Sequence, residues 1–203
     1  MPALSESDIA DLLVPYLPDA PAPLLSQLSI YLDLLLKWNA RTNLTAIRDP
    51  EEIVRRHFGE SLFAARHLHP DTPTLLDFGS GAGFPGVPIA LLRTDIHVTL
   101  AESQRKKAMF LQEALRTLRL RASVHAARAE TLPEAGFDAV WMRAVDKSAL
   151  MLPIAAKLVA SRGFLCLFGT SELPGLPNIG NWQWKTHPFP GENARVLHIG
   201  QRI

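Results

Sequence analysis

Leu75-Leu76-Asp77-Phe78-Gly79-Ser80-Gly81-Ala82-Gly83-Phe84-Pro85-Gly86 is the stretch whose reading decides the fold. An apolar run enters Gly-x-Gly-x-Gly without a break. Glycine lets the backbone turn sharply and lets a ligand approach with no Cβ in the way. A second apolar run, 97–101, ends at Glu102, 23 residues after Gly79. In a doubly wound sheet the ends of two such strands are neighbours at the ligand crevice. A carboxylate placed there can accept both hydroxyls of a ribose, so the loop and Glu102 together read as an adenosyl-ribose site.

The rest of the chain extends this unit in both directions. Downstream, helices are expected at 87–92, 106–118 and 146–160, and strands at 122–126, 137–142 and 163–168. The 163–168 run is apolar throughout, as in a strand covered on both faces. Alternating strands and helices imply a parallel sheet with right-handed crossovers. The segments 182–189 and 194–199 read as strands with no helix between them, hence an antiparallel hairpin at one edge, after a proline- and glycine-rich loop over 174–180. Upstream, Ser5 and Asp8 form a capping-box pattern for a short helix to Tyr16. Leu24, Leu28, Tyr31, Leu32, Leu35 and Trp38 recur at helical spacing. A loop is expected from Asn39 to Arg48, then a helix capped by Asp49 and running to about His67. The expected fold class is α/β: a doubly wound, mostly parallel, Rossmann-like sheet with an antiparallel C-terminal hairpin and an N-terminal helical cap. Residues 1–70 read as a helical extension and 71–203 as the ligand-binding domain.

Composition bounds the function. The 203 residues carry 21 Lys+Arg against 20 Asp+Glu, a net charge of +1, so any nucleic-acid binding must come from a local patch. The single cysteine, Cys166, excludes a disulfide framework and a multi-cysteine zinc site, and no metal is expected. No apolar run reaches the roughly 20 residues of a membrane helix. The acidic start, with Glu6, Asp8 and Asp11, has no basic leader region. The expectation is a soluble, cytoplasmic protein.

The glycine loop has two ligand readings. Gly81, Gly83 and Gly86 also satisfy the dinucleotide fingerprint Gly-x-Gly-x-x-Gly. Two features favour S-adenosylmethionine. Asp77 precedes the glycines, where it can hold the ligand's cationic end, and Pro85 sits where a helix amide would cradle a pyrophosphate. Gly79, Ser80, Gly81, Phe84 and Glu102 are then cofactor-binding candidates. Beyond the third strand, the amide of Ala129 and the carboxylate of Glu130 can read an adenine edge, although Glu130 also reads as a solvated loop acid. Arg143 ends the fourth strand, facing the methyl group and its target. It can fork to guanine O6 or to a phosphate, or it can pair with a carboxylate such as Asp77.

That fourth strand end lacks the Asn/Asp-Pro-Pro-aromatic sequence common in amine methylation of bases. Cys166 lies mid-strand, where it reads as a buried thiol rather than a nucleophile. Guanine N7, with an in-plane lone pair, needs only in-line placement against a sulfonium methyl. Arg105, Lys106, Lys107 and Arg128 lie in a stretch with few acids, which reads as a phosphate-binding face or as a solvated helix face. His57, beside Ile53 and Phe58, reads as structural on position alone.

In combination these segments resemble the RsmG (GidB) family of bacterial 16S ribosomal RNA guanine-N7 methyltransferases. The matching residues are Trp38-Asn39, Asn43-Leu44-Thr45-Ala46-Ile47-Arg48, His57, Ser61-Leu62, the stretch 77–86, Glu102-Ser103, Lys106-Lys107, Phe110-Leu111, Arg128-Ala129-Glu130, Phe137-Asp138 and Arg143-Ala144. They cover about residues 24–170 in order. The resemblance implies S-adenosyl-L-methionine contacts at Gly79, Phe84, Ala129, Glu130 and Arg143. It implies methyl transfer to N7 of a guanine in the 530 loop, with 16S ribosomal RNA or the small ribosomal subunit as partner. It also marks Arg143, Asn43 and His57 as the catalytic candidates. Two positions depart from the family: Phe168-Gly169 stands where Lys-Gly is usual, and Glu60 where Asp is usual. The alternatives are a small-molecule methyltransferase using the helical cap as a lid, a nicotinamide-dependent oxidoreductase and a non-catalytic binding protein.

Overall fold

A computed structural model of the chain describes residues 2–143, 148–170, 181–191 and 194–203. The described strands form one seven-stranded sheet in the order β3-β2-β1-β4-β5-β7-β6. They are β1 (Thr74–Phe78), β2 (His97–Ala101), β3 (Ala122–His125), β4 (Phe137–Arg143), β5 (Val159–Thr170), β6 (Trp182–Pro188) and β7 (Arg195–Arg202). The first five pair in parallel, and β7 runs antiparallel between β5 and β6. The expected edge hairpin is therefore present, with the later strand on the inside. The strand order reverses between β1 and β4, which puts a topological switch point where β1 enters the glycine loop.

Side-chain alternation divides the core between the two faces of the sheet. Leu75, Ala139, Trp141 and Cys166 face one side, whereas Leu76, Val140, Met142, Leu165 and Leu167 face the other. The first face packs against α5 (Gly86–Leu92), α6 (Arg105–Thr117) and the helices before β1. The second packs against α7 (Ser148–Leu158), through Leu152, Ala155 and Leu158. The expected start of that last helix, residues 146 and 147, and the loop at 174–180 lie outside the described residues.

The N-terminal helices share the first core rather than building one of their own. Helix α1 (Glu6–Leu13) starts at the Ser5–Asp8 capping box and buries Ile9 and Leu13. Helix α2 (Ala22–Thr42) buries Leu24, Leu28, Tyr31, Leu32 and Leu35, the stripe legible in the sequence. It runs four residues into the expected loop and stops where Asn43 turns left-handed, at φ 34°. The expected helix from Asp49 is present but not uniform. Asp49 Oδ1 accepts from the Glu52 amide, and a short α3 (Pro50–Glu52) leads into a π-helical segment, Ile53–Gly59, before α4 (Glu60–Ala65). Local propensity carries no signal for that wider turn. At Gly59 a Cβ would lie 2.5 Å from the Tyr16 ring, so close packing against the turn that follows α1 reaches this segment. Strand β5 begins four residues before the expected 163. Val159 pairs with Phe137 before an irregularity resets the register to Ala139–Phe164.

Tyr31 joins the N-terminal helices to the glycine loop. Its ring contacts Phe58, Phe84 and Phe110, and its hydroxyl donates to the Ala82 carbonyl at 2.5 Å. Gly83, at φ 89°, lies directly beneath it, and a Cβ there would meet the Tyr31 hydroxyl at 2.5 Å. Gly83→Ala is expected to destabilise the fold by about 1–3 kcal/mol, through backbone strain and overpacking together. Urea unfolding of the two proteins measures this, and an unchanged midpoint would contradict the packing described.

Candidate active site

The site is assembled from the carboxyl ends of the parallel strands. After β1 the chain passes through Gly79, Gly81 and Gly83, all at positive φ. Asp77, fully buried, organises the turn: its Oδ2 accepts from Ser80 Oγ at 2.5 Å and from the Gly86 amide at 2.9 Å. Burial raises its pKa to about 6, against the pull of those two hydrogen bonds. Its Oδ1 is buried without a partner. Asp77 therefore spends one oxygen shaping the loop, and its other oxygen stays buried without a hydrogen-bond partner.

Strand β2 delivers Glu102, which is 7% exposed, directly beside the loop. Its two oxygens accept from the amides of Gly81, at 3.0 Å, and Gln104, at 2.6 Å. A Cβ on Gly81 would meet only the Gly79 carbonyl, at 3.9 Å, so the loop is open at that glycine. An open glycine cradle with a fixed carboxylate at its edge fits an adenosyl ribose. Past β3, Ala129 is buried in a single 3-10 turn, and Glu130 lies 3.8 Å from Arg128. Phe84 turns inward. It is 6% exposed, and the His57 ring stacks on it at 4.4 Å and 14°.

Arg143, at the end of β4, pairs with Glu60 and not with Asp77. Its Nη2 donates to Glu60 Oε2 at 2.9 Å and to the Arg56 carbonyl at 2.7 Å, and its guanidinium lies 5.2 Å above the Phe168 ring. Burial, and then Arg56, lower its pKa, while the close carboxylate keeps it paired. Glu60, 2% exposed, also bonds Arg195 of β7 through its other oxygen. Arg56, His57, Arg143, Phe168, Phe189 and Arg195 are among the residues lining a cavity of about 290 Å³ at this end of the sheet.

Two of the catalytic candidates, Asn43 and His57, are joined by one hydrogen-bond chain, and Arg143 stands outside it. Exposed Asn43 accepts from Arg48 Nη2 at 2.8 Å, and Arg48 Nη1 donates to the Asn39 carbonyl at 3.2 Å. Buried Asn39 holds the loop by accepting from the amides of Leu44 and Thr45 and donating to the Thr45 carbonyl. Thr45 Oγ1 lies 2.8 Å from His57 Nε2. His57 and Arg143 line the same cavity, whereas Asn43 reaches it only through this chain. Arg105, Lys106 and Arg128 are exposed around the carboxyl ends of β2 and β3. Glu60, Arg195, Arg56 and Asn39 have site positions that no sequence pattern assigned. Asn39 lay within a quoted motif without a role, and Arg195 lies beyond the resembling stretch. Cys166 is buried mid-strand, and burial pushes its thiol up.

Burial, then Arg143, Arg56 and Arg195, hold the His57 pKa down at about 2, against 6.5 unperturbed. The unfolded chain therefore binds a proton that the folded chain refuses. The stability this neutral ring contributes is present above pH 6.5 and is lost as pH falls toward 2. At pH 5.5 one such group costs about 1.4 kcal/mol. Between pH 7.5 and 5.5 the wild type is expected to lose about that much more unfolding free energy than His57→Gln. Asp77 acts in the opposite direction in both proteins and cancels. Equal losses would place His57 in water rather than in the arginine cluster.

Known proteins with related sequences bear on this geometry. The profile of a family described as GidB, rRNA small subunit methyltransferase G, matches residues 24–173. A ribosomal RNA small subunit methyltransferase G from Xanthomonas campestris pv. campestris (strain B100) is 42% identical over 191 residues, covering 89% of this chain and 86% of the relative. The protein of that name from Xanthomonas euvesicatoria pv. vesicatoria (strain 85-10) is 43% identical, covering 88% and 85%. Among solved structures, M. jannaschii TYW2 in complex with AdoMet superposes with a TM-score of 0.57 at 17% identity, over 71% of this chain and 75% of that one, a likeness of fold alone. With the family profile spanning both the glycine loop and the Arg143 strand end, the chain belongs to the GidB family of rRNA small subunit methyltransferase G proteins.

Proposed function

We propose that the protein transfers a methyl group from S-adenosyl-L-methionine to N7 of a guanine in the 530 loop of 16S ribosomal RNA, acting in the cytoplasm on the RNA or the small ribosomal subunit. The observation that carries this reading is a juxtaposition at the switch point. The open glycine cradle with Glu102 lies at the ends of β1 and β2, and an arginine-lined cavity lies at the ends of β4 and β5. The cofactor, when bound, supplies a methyl group on a sulfonium. Gly79, Ser80, Gly81 and Glu102 hold its ribose side, and Ala129 and Glu130 its adenine edge.

Guanine N7 carries no proton, so the residues have none to remove; they must orient the base and exclude water. Arg143 is suited to orientation because Glu60, the Arg56 carbonyl and Phe168 hold its guanidinium on an edge and a face. His57 stays neutral and, stacked on Phe84, couples the cavity wall to the cofactor loop. Arg105 and Lys106 occupy the first turn of α6 with no acid among them, against the preference of a helix N-terminus for negative charge. With Lys107 and Arg128 they form the face offered to RNA phosphates.

Purified protein with tritiated cofactor is expected to label 16S RNA or unmethylated small subunits at one guanine; cofactor binding without any label in RNA would favour a small-molecule acceptor. Glu130→Ala is expected to weaken cofactor binding by about tenfold, the loss of one charge-assisted hydrogen bond, in calorimetry. Lys106→Ala should leave cofactor affinity intact and lower the salt dependence of RNA binding by about one phosphate contact. An unchanged cofactor affinity in the Glu130 variant, or an unchanged salt slope in the Lys106 variant, would remove that residue from its assigned role.

A further inference from the structure

Three arginines from separate parts of the chain meet in the cavity at the ends of β4 and β5: Arg56 from the π-helical turn, Arg143 from β4 and Arg195 from β7. Glu60 is the carboxylate among the lining residues, and it bonds both Arg143 and Arg195. The lining side chains thus carry three positive charges against one negative. Glu52 reaches Arg56 only from the surface, at 3.4 Å. Holding like charges together in a partly desolvated cleft is unfavourable, and such arrangements mark sites for a charge of opposite sign. Arg143 Nη1 and Arg56 Nε are buried donors without a protein partner, and each unsatisfied donor is costly. A single group bearing several acceptor oxygens and a negative charge answers all of this, and guanidinium groups match phosphate oxygens in geometry.

We propose that this cavity is a phosphate subsite for the substrate RNA, in which Arg143 and Arg195, braced by Glu60, hold a backbone phosphate beside the target guanine. The identity of the ligand as RNA rests on the function proposed above. Arg195 lies beyond residues 24–173, outside the family match, and pairs across the sheet with Thr170, two residues after Phe168. It brings to the cavity from β7 a cation that position 168 does not supply. Phe168 instead lies under the Arg143 guanidinium and stacks on Phe189 at 5.6 Å, which holds that arginine in place.

Calorimetric titration of the full chain, saturated with S-adenosylhomocysteine, with guanosine 5′-monophosphate and with guanosine tests the subsite. The monophosphate is expected to bind at least about tenfold more tightly, the worth of one charge-assisted phosphate contact. Arg195→Gln should bring the ratio close to one, Arg195→Lys should keep most of it, and S-adenosylhomocysteine affinity should not change in either. Equal affinity of the wild type for the two ligands, or an undiminished ratio in Arg195→Gln, would overturn the proposal. If Arg195→Gln does not fold, Phe168→Lys reads the same site: a further cation in the arginine-lined cavity should raise the ratio, and an unchanged ratio would count against it. A wild type that leaves RNA unmethylated would defeat the proposed function, whereas the comparison of free ligands needs no methyl transfer and would still decide the subsite.

Discussion

The hydrogen bonds of one buried carboxylate oxygen shape everything at the ligand end of this protein. Asp77 Oδ2 accepts from both Ser80 and Gly86, so the chain between them must close a tight turn. The turn needs left-handed backbone at Gly79, Gly81 and Gly83, which glycine adopts without steric cost. Once closed, it offers the Gly81 amide to Glu102 and the Ser80 amide to the Ala101 carbonyl, tying the ends of β1 and β2 into one rim. From the side of the helices, Tyr31 holds the Ala82 carbonyl and fills the space beside Gly83. The helices before the sheet are thus structural parts of the loop's support, sharing its hydrophobic core.

A different physics operates on the far side of the switch point. There the fold brings arginines together where burial and mutual repulsion oppose them. The compensation is a nearly inaccessible carboxylate, Glu60, held on two sides. Breaking such a buried pair leaves an uncompensated charge, so its members are strongly interdependent. His57 reports the same field by staying neutral, and its ring stacks on Phe84 of the glycine loop. A protein folded only for stability would favour apolar side chains there. The arrangement makes sense when an anion completes it.

The sheet and the loop were legible because both repeat simple rules. Thr74–Phe78 and His97–Ala101 are apolar runs bounded by turn residues, and both strands appear over the expected residues. The glycines and Glu102 could be placed because a parallel sheet puts successive strand ends side by side. The arginine cluster was not legible in the same way. Arg56, Arg143 and Arg195 are distant in sequence, and only the completed topology, with β7 inserted beside β5, brings them together. A carboxylate such as Asp77 was one of the alternative partners for Arg143, but Asp77 is committed to the loop and Glu60 takes that place. The π-helical turn and the extension of α2 to Thr42 likewise follow from packing and from the left-handed Asn43, which helix-period patterns do not reveal.

The central claim, methylation of one guanine at N7, is tested most directly by chemistry that cleaves RNA at N7-methylguanosine. Reduction and aniline scission of 16S RNA from the native strain, a strain lacking this gene and the complemented strain would map the site. The account predicts one cut in the 530 loop that disappears with the gene and returns with it. The same cut in all three strains, or none in any, would contradict it.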